Sequence, residues 1–260
     1  MESEIKVVKA KYVSTLVGCY YASILTCGLI VFQALMYQEQ FSRPDLPLTA
    51  IKTILWYIFI GTVIMLGMIA LKLDTIMYAL ITSAIVIGGL LFAPMLYQTL
   101  GPYFFLLLII LLLFQLINAE INKAIPKLLM IGLSASVMAL RFTPMTLFLV
   151  FTILMLFDII AVYVTKHMVS IATSRFGDML TLNVIIGSIG FADFMFPMAI
   201  TLSFARTLHP MLLYGVAAMT AIGLMHLIVH IKPGKFYPAL PPVYIMTMSG
   251  IYLAHVIALF

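Results

Sequence analysis

From residue 12 to its last position the chain is a succession of apolar runs, most near twenty residues long. Short breaks between them hold nearly all of its charges. As a helix rising about 1.5 Å per residue, such a run matches the ~30 Å hydrocarbon core of a bilayer. Only 9% of the 260 residues are charged, 64% are hydrophobic and the mean hydropathy is +1.20. Those values exclude a soluble globular domain and leave no length for a separate one. The expected fold is all-α, a polytopic membrane protein of nine transmembrane helices.

The spans are expected near 12–36, 50–71, 75–96, 103–119, 128–140, 145–165, 179–204, 211–229 and 243–260. The first run is too long for the apolar core of a cleavable signal peptide and should remain as a span. The chain divides into a six-helix part over 1–168, a cytoplasmic loop over 169–181 and a three-helix part over 182–260.

The net charge of +5 reports topology rather than nucleic-acid binding. With the N-terminus in the cytoplasm, that side holds Lys6, Lys9, Lys11, Lys72, Lys123, Lys127, Lys166, Arg175, Lys232 and Lys235. The other side holds Arg43, Lys52, Arg141 and Arg206. Ten basic residues against four favour N-in, and nine spans then place the C-terminus outside. The expected location is a cell membrane, with the bilayer as a partner.

Cys19 and Cys27 share the first run and would lie ~12 Å apart along a helix, too far for a disulfide. Both read as packing residues. His226 and His230 share a helix face, but no third metal ligand is apparent, so they read as packing at a helix end. No metal or cofactor is expected.

Seven of the nine acidic residues fall in loops or at span ends, whereas Asp158 and Asp193 sit deep inside apolar runs. A charge at such depth costs a few kcal/mol or more and is functional by default. Asp158 is expected about 20 Å into span six and Asp193 about 21 Å into span seven, entered from the opposite side. The two can therefore meet near mid-membrane. No basic residue lies at that depth, so they neutralise each other by sharing a proton. Such a dyad is the logic of aspartic proteases: one carboxylate takes a proton from water while the other, protonated, polarises a carbonyl.

The surroundings of Asp193 fit a site. Gly190 and Ala192 are small and allow close approach, and Pro197 loosens the helix one turn later. Ser188 and Thr201 read as hydroxyls that bond back to their own helix. Before span nine, Tyr237-Pro238-Ala239-Leu240-Pro241-Pro242 carries three prolines in five residues, which argues against helix and for an extended chain on the cytoplasmic side.

At these residues the chain resembles the presenilins and signal peptide peptidases, and its small size resembles their archaeal branch. Phe157-Asp158 is similar to the Tyr-Asp motif of their sixth span. Gly190-Phe191-Ala192-Asp193 is similar to their Gly-x-Gly-Asp motif in the seventh, and Pro238-Ala239-Leu240 matches their Pro-Ala-Leu motif before the ninth. The order, the span numbers and the N-in topology agree, so the resemblance covers essentially the whole chain. It implies that Asp158 and Asp193 form a catalytic pair. It also implies that Phe157, Gly190, Phe191, Ala192, Pro238, Ala239 and Leu240 shape the site and that the substrates are transmembrane peptide segments.

Two positions depart from the family pattern: Phe157 lacks the tyrosine hydroxyl, and Ala192 adds a methyl where the family has glycine. The expectation is an intramembrane aspartyl endopeptidase, active or slowed. Its rivals are a proton-coupled transporter and an inactive relative that binds membrane segments. A prepilin-type peptidase also uses a Gly-x-Gly-Asp motif, but the nine spans and the Pro-Ala-Leu segment argue against it.

Overall fold

The structure, a computed structural model, describes residues 2–36, 119–164, 181–184, 187–230 and 237–259, with isolated positions between 52 and 76. The expected spans three and four lie almost wholly outside the described residues. So does most of span two, of which Lys52, Trp56, Ile60, Val63, Ile64 and Gly67 are helical.

Six helices and one hairpin are described. Helix α1 is Glu2–Met36, α2 is Ala119–Arg141 and α3 is Pro144–Tyr163. Strands β1, Thr181–Val184, and β2, Gly187–Gly190, precede α4, Phe191–Ser203. Helices α5, Pro210–His230, and α6, Leu240–Ala258, complete the chain. Among the described residues four segments are long and apolar enough to cross a membrane: Leu16–Gln33, Pro144–Tyr163, Pro210–Ile228 and Leu240–Ala258.

Local chemistry sets several of these boundaries. Thr143 caps α3: its backbone is extended and its Oγ1 accepts from the Thr146 N–H at 3.2 Å, while Pro144 supplies a pre-set first helical residue. Helix α2 runs beyond the expected 128–140 at its N-terminal end, through Pro126.

Two expectations are corrected. Span seven is not a helix from 179. The chain first forms the antiparallel hairpin β1–β2, with Thr181 opposite Gly190 and Val184 opposite Gly187, and α4 starts only at Phe191. Apolar content misled here, because the stretch is rich in β-branched residues and glycine. These favour a pleated chain and disfavour a helix interior. Ser188 therefore lies on β2, whereas Thr201 does bond back within its helix, Oγ1 to the Pro197 carbonyl at 2.7 Å. The proline segment is the second correction. Only its start is non-helical; α6 begins at Leu240 with Pro241 and Pro242 inside its first turn. Proline is tolerated there because those N–H groups have no partner in the helix.

Helix α1 packs against α2, α4 and α5, and α5 packs along α6. Close approach rests on small residues. A side chain at Gly223 of α5 would meet the Pro242 carbonyl oxygen at 2.7 Å, so α6 enters the bundle directly against it. Hydroxyls tie the same helices: Thr220 Oγ1 lies 3.0 Å from Thr247 Oγ1, and Ser136 Oγ donates to the Gly28 carbonyl at 2.8 Å. Cys27 sits against Gly132, in line with a packing role, while Cys19 is exposed.

Candidate active site

Asp158 lies in the interior of α3 and is buried, 9% exposed. It sits on the same face as Leu154 and Ala161, which are also buried. Its Oδ2 accepts a hydrogen bond from the Leu240 N–H at 3.1 Å. Leu240 is the first residue of α6, and the two residues after it are prolines without N–H groups. Ala239 offers no side-chain cap, so Asp158 supplies from another helix the acceptor that α6 lacks. The positive end of the α6 dipole favours a carboxylate at this place.

Asp193 is held differently. It is the third residue of α4, and its Oδ2 accepts from the Gly190 N–H at 3.1 Å across the helix start. A Cβ at Gly190 would stand 3.2 Å from that Oδ2, so the carboxylate occupies the space a side chain would need. The Gly190 backbone itself is ordinary extended chain, φ −66° and ψ 151°, and makes no demand for glycine. Ala192, the second residue of the helix, faces no such demand either.

The fold brings the two acids together. Asp193 lies within electrostatic reach of Asp158. Of the remaining expected site residues, Pro238 and Leu240 are buried, while Ala239, Gly190, Phe191 and Ala192 are partly buried beside them in the chain. Phe157 differs. It is 39% exposed and lies with Ile153, Leu156 and Ile160 on an exposed apolar face of α3, turned from the face that carries Leu154 and Ala161. His226 is exposed, and no three His, Cys, Asp or Glu side chains gather among the described residues.

Beneath the acids lies a set of aromatic side chains that the sequence reading did not single out. Phe151, two turns before Asp158, stacks on Phe196 with ring centres 6.5 Å apart. It also meets Tyr244 edge-on at 5.0 Å. Phe196 follows Asp193 by one turn and Tyr244 follows Leu240 by one turn. The fully buried Phe151 thus joins the three elements that form the site. Tyr244 Oη also lies 2.9 Å from Thr152 Oγ1. On the other side of α4, Tyr21 of α1 packs its ring on Phe194 at 4.8 Å, and its hydroxyl donates to the Asp193 backbone carbonyl at 2.8 Å. Each of these residues reads in sequence as one more aromatic in an apolar run.

No protein-family model and no curated protein matches the chain. Solved structures do. A presenilin family intramembrane aspartate protease, solved in space group C222, superposes with a TM-score of 0.71 over 94% of this chain and 99% of that one, at 17% identity. The chain has the presenilin-family fold. A second structure of such a protease, in space group P2, gives a TM-score of 0.59 at 18% identity, covering 93% of this chain and 96% of that one. At these identities the presenilin likeness establishes the architecture of a mostly helical membrane protein. The chemistry has to be argued from Asp158 and Asp193 themselves.

Proposed function

We propose that the protein is an intramembrane aspartyl endopeptidase that hydrolyses peptide bonds within transmembrane segments of other proteins. One observation carries this reading: in a chain of presenilin fold, α3 and α4 are joined by the Phe151–Phe196 stack and carry Asp158, tied to Leu240, and Asp193, which lies within electrostatic reach of Asp158. One carboxylate, ionised, takes a proton from water, whose oxygen attacks the scissile carbonyl carbon. The other, protonated, donates a hydrogen bond to the carbonyl oxygen as charge develops there. Collapse of the tetrahedral intermediate breaks the C–N bond, and a proton passes from the dyad to the leaving amine. The step needs no metal and no activated side-chain nucleophile.

A helical substrate hides its scissile carbonyl in its own hydrogen bonds and must unwind to be cut. The hairpin β1–β2 supports this reading, because among the described residues the sheet has two strands, and no third described strand pairs with its outer edges. Non-helical backbone at membrane depth is tolerated where it meets protein or water. An unwound substrate strand can pair there, or with the non-helical residues 237–239, and water reaches the acids by the same route. We place the N-terminus in the cytoplasm, the C-terminus outside and nine spans in a cell membrane. In this arrangement the parts over 1–168 and 182–260 contribute one acid each.

The test is cleavage. Purified protein is reconstituted in liposomes with a single-span reporter peptide, and the products of wild type and Asp193→Asn are compared by mass spectrometry. Cuts inside the span that vanish in the variant are expected. Equal cleavage by both, or no cleavage of several unrelated peptides, overturns the proposal.

A further inference from the structure

Helix α4 contains an unusual defect. In an α-helix the carbonyl of residue i accepts from the N–H of residue i+4. For Asp193 that residue is Pro197, which lies inside the helix and has no N–H. The carbonyl of the candidate catalytic residue therefore lacks its normal partner, and the first turn of α4 loses a bond that would hold it rigid. Tyr21 supplies the replacement: its hydroxyl, 172 residues away in sequence, donates to that carbonyl at 2.8 Å. The Tyr21 side chain is buried, 1% exposed, and its ring is braced against Phe194. Freed backbone acceptors in membrane helices are commonly satisfied by neighbouring helices. Here the neighbour reaches the residue of α4 whose side chain is a candidate acid.

We infer that Tyr21 is a positioning residue, matched to Pro197, through which α1 fixes the first turn of α4 and so aims the Asp193 carboxylate. The inference rests on the protease reading for its effect on rate, but the bond itself is testable without it. Removing the hydroxyl leaves the ring and its packing in place and frees the turn. Restoring an N–H at position 197 gives the carbonyl a local partner and makes the Tyr21 hydroxyl redundant.

The experiment compares wild type, Tyr21→Phe, Pro197→Ala and the double variant in the full-length reconstituted protein. Tyr214→Phe is the control, since it removes another hydroxyl bond made by α1, that between Tyr214 and Thr26. In the reporter assay Tyr21→Phe is expected to lower kcat about three- to tenfold with KM unchanged, as expected for loss of one hydrogen bond that orients a reacting group. The double variant should recover most of that loss, and Tyr214→Phe should match wild type.

A readout without activity runs in parallel. Asp193-Phe194 is the chain's only Asp-Phe pair. Protein labelled with carbonyl-13C aspartate and 15N phenylalanine thus gives one NMR correlation that reports the Asp193 carbonyl. That 13C signal should move upfield in Tyr21→Phe, return in the double variant and stay in place in Tyr214→Phe. An unmoved signal in Tyr21→Phe overturns the inference whether or not the protein cleaves anything. A kcat loss that Pro197→Ala leaves uncorrected overturns it as well. Cleavage that survives Asp193→Asn removes the protease reading alone, and the carbonyl signal then decides whether Tyr21 and Pro197 are matched.

Discussion

The two acids reach one place by opposite routes. Asp158 projects from the C-terminal half of a continuous helix and is anchored at long range, by the N-terminus of α6, 82 residues further on. Asp193 stands at the start of its own helix, just after a hairpin, and its side chain is anchored three residues away at Gly190. The α3 half of the site is rigid in its backbone and depends on a distant segment. The α4 half is local in its side-chain bond but has a weakened backbone, interrupted by Pro197 and tied by Tyr21. A site built this way fails differently on its two sides.

The largest effect is expected from the acids themselves. Asp158→Asn and Asp193→Asn should each lower kcat/KM for a membrane-spanning reporter by about a thousandfold or more, since neither amide can exchange the proton. The asymmetry shows in stability instead. Asp158→Ala leaves the Leu240 N–H buried and unpaired, at about 1–3 kcal/mol. Asp193→Ala removes one capping interaction, at about 1 kcal/mol. Thermal unfolding in detergent reads both. Equal losses would mean that the Leu240 anchor carries no more than the local cap.

Next in size is Phe151→Ala. The ring is fully buried and touches Phe196 and Tyr244, so its removal should cost about 3–5 kcal/mol. It should also lower activity beyond what the stability loss explains, because it uncouples the supports of both acids. Phe151→Leu, which keeps most of the volume, should recover the larger part of each.

Two glycines then separate the halves. At Gly223 a methyl would meet the Pro242 carbonyl at 2.7 Å, and backbone does not yield cheaply. Gly223→Ala should cost about 1–3 kcal/mol and move the start of α6 away from Asp158. At Gly190 the methyl would meet the tip of the Asp193 side chain at 3.2 Å, which can shift by a few tenths of an ångström. Gly190→Ala should leave the melting temperature within a few degrees of wild type and lower kcat several-fold. The pair is checked by measuring melting and kcat on both variants, and a reversed pattern would exchange the roles assigned to the two halves.

How much of this was legible in sequence follows the same division. Asp158, Asp193 and the Pro-Ala-Leu segment stood out because charge and proline are rare in apolar runs, and the structure brings these residues together. The hairpin before Asp193 was missed, because hydropathy does not distinguish a strand from a helix in a wholly apolar stretch. Glycine spacing and β-branched content around Thr181–Gly190 were the available signal. The aromatic supports were not legible at all. Phe151, Phe196, Tyr244 and Tyr21 differ from other aromatics only by where the chain puts them. The Leu240–Asp158 bond depends on a contact between segments 82 residues apart, which periodicity does not encode.

The smallest expected effect concerns Ala192, where the chain departs from the Gly-x-Gly-Asp pattern. If the second glycine were required for a positive φ, alanine there would be strained and Ala192→Gly would restore rate. The structure argues otherwise, because Ala192 is the second residue of α4, where alanine is the better helix former. Ala192→Gly should therefore destabilise by about 0.5–1 kcal/mol and leave kcat within about twofold of wild type. It should act with Tyr21→Phe more than additively, since both loosen the one turn that carries Asp193. Thermal melts and reporter kinetics on the two single variants and the double variant measure this. A gain in kcat on restoring glycine would mean that the added methyl, rather than the backbone, limits the α4 half of the site.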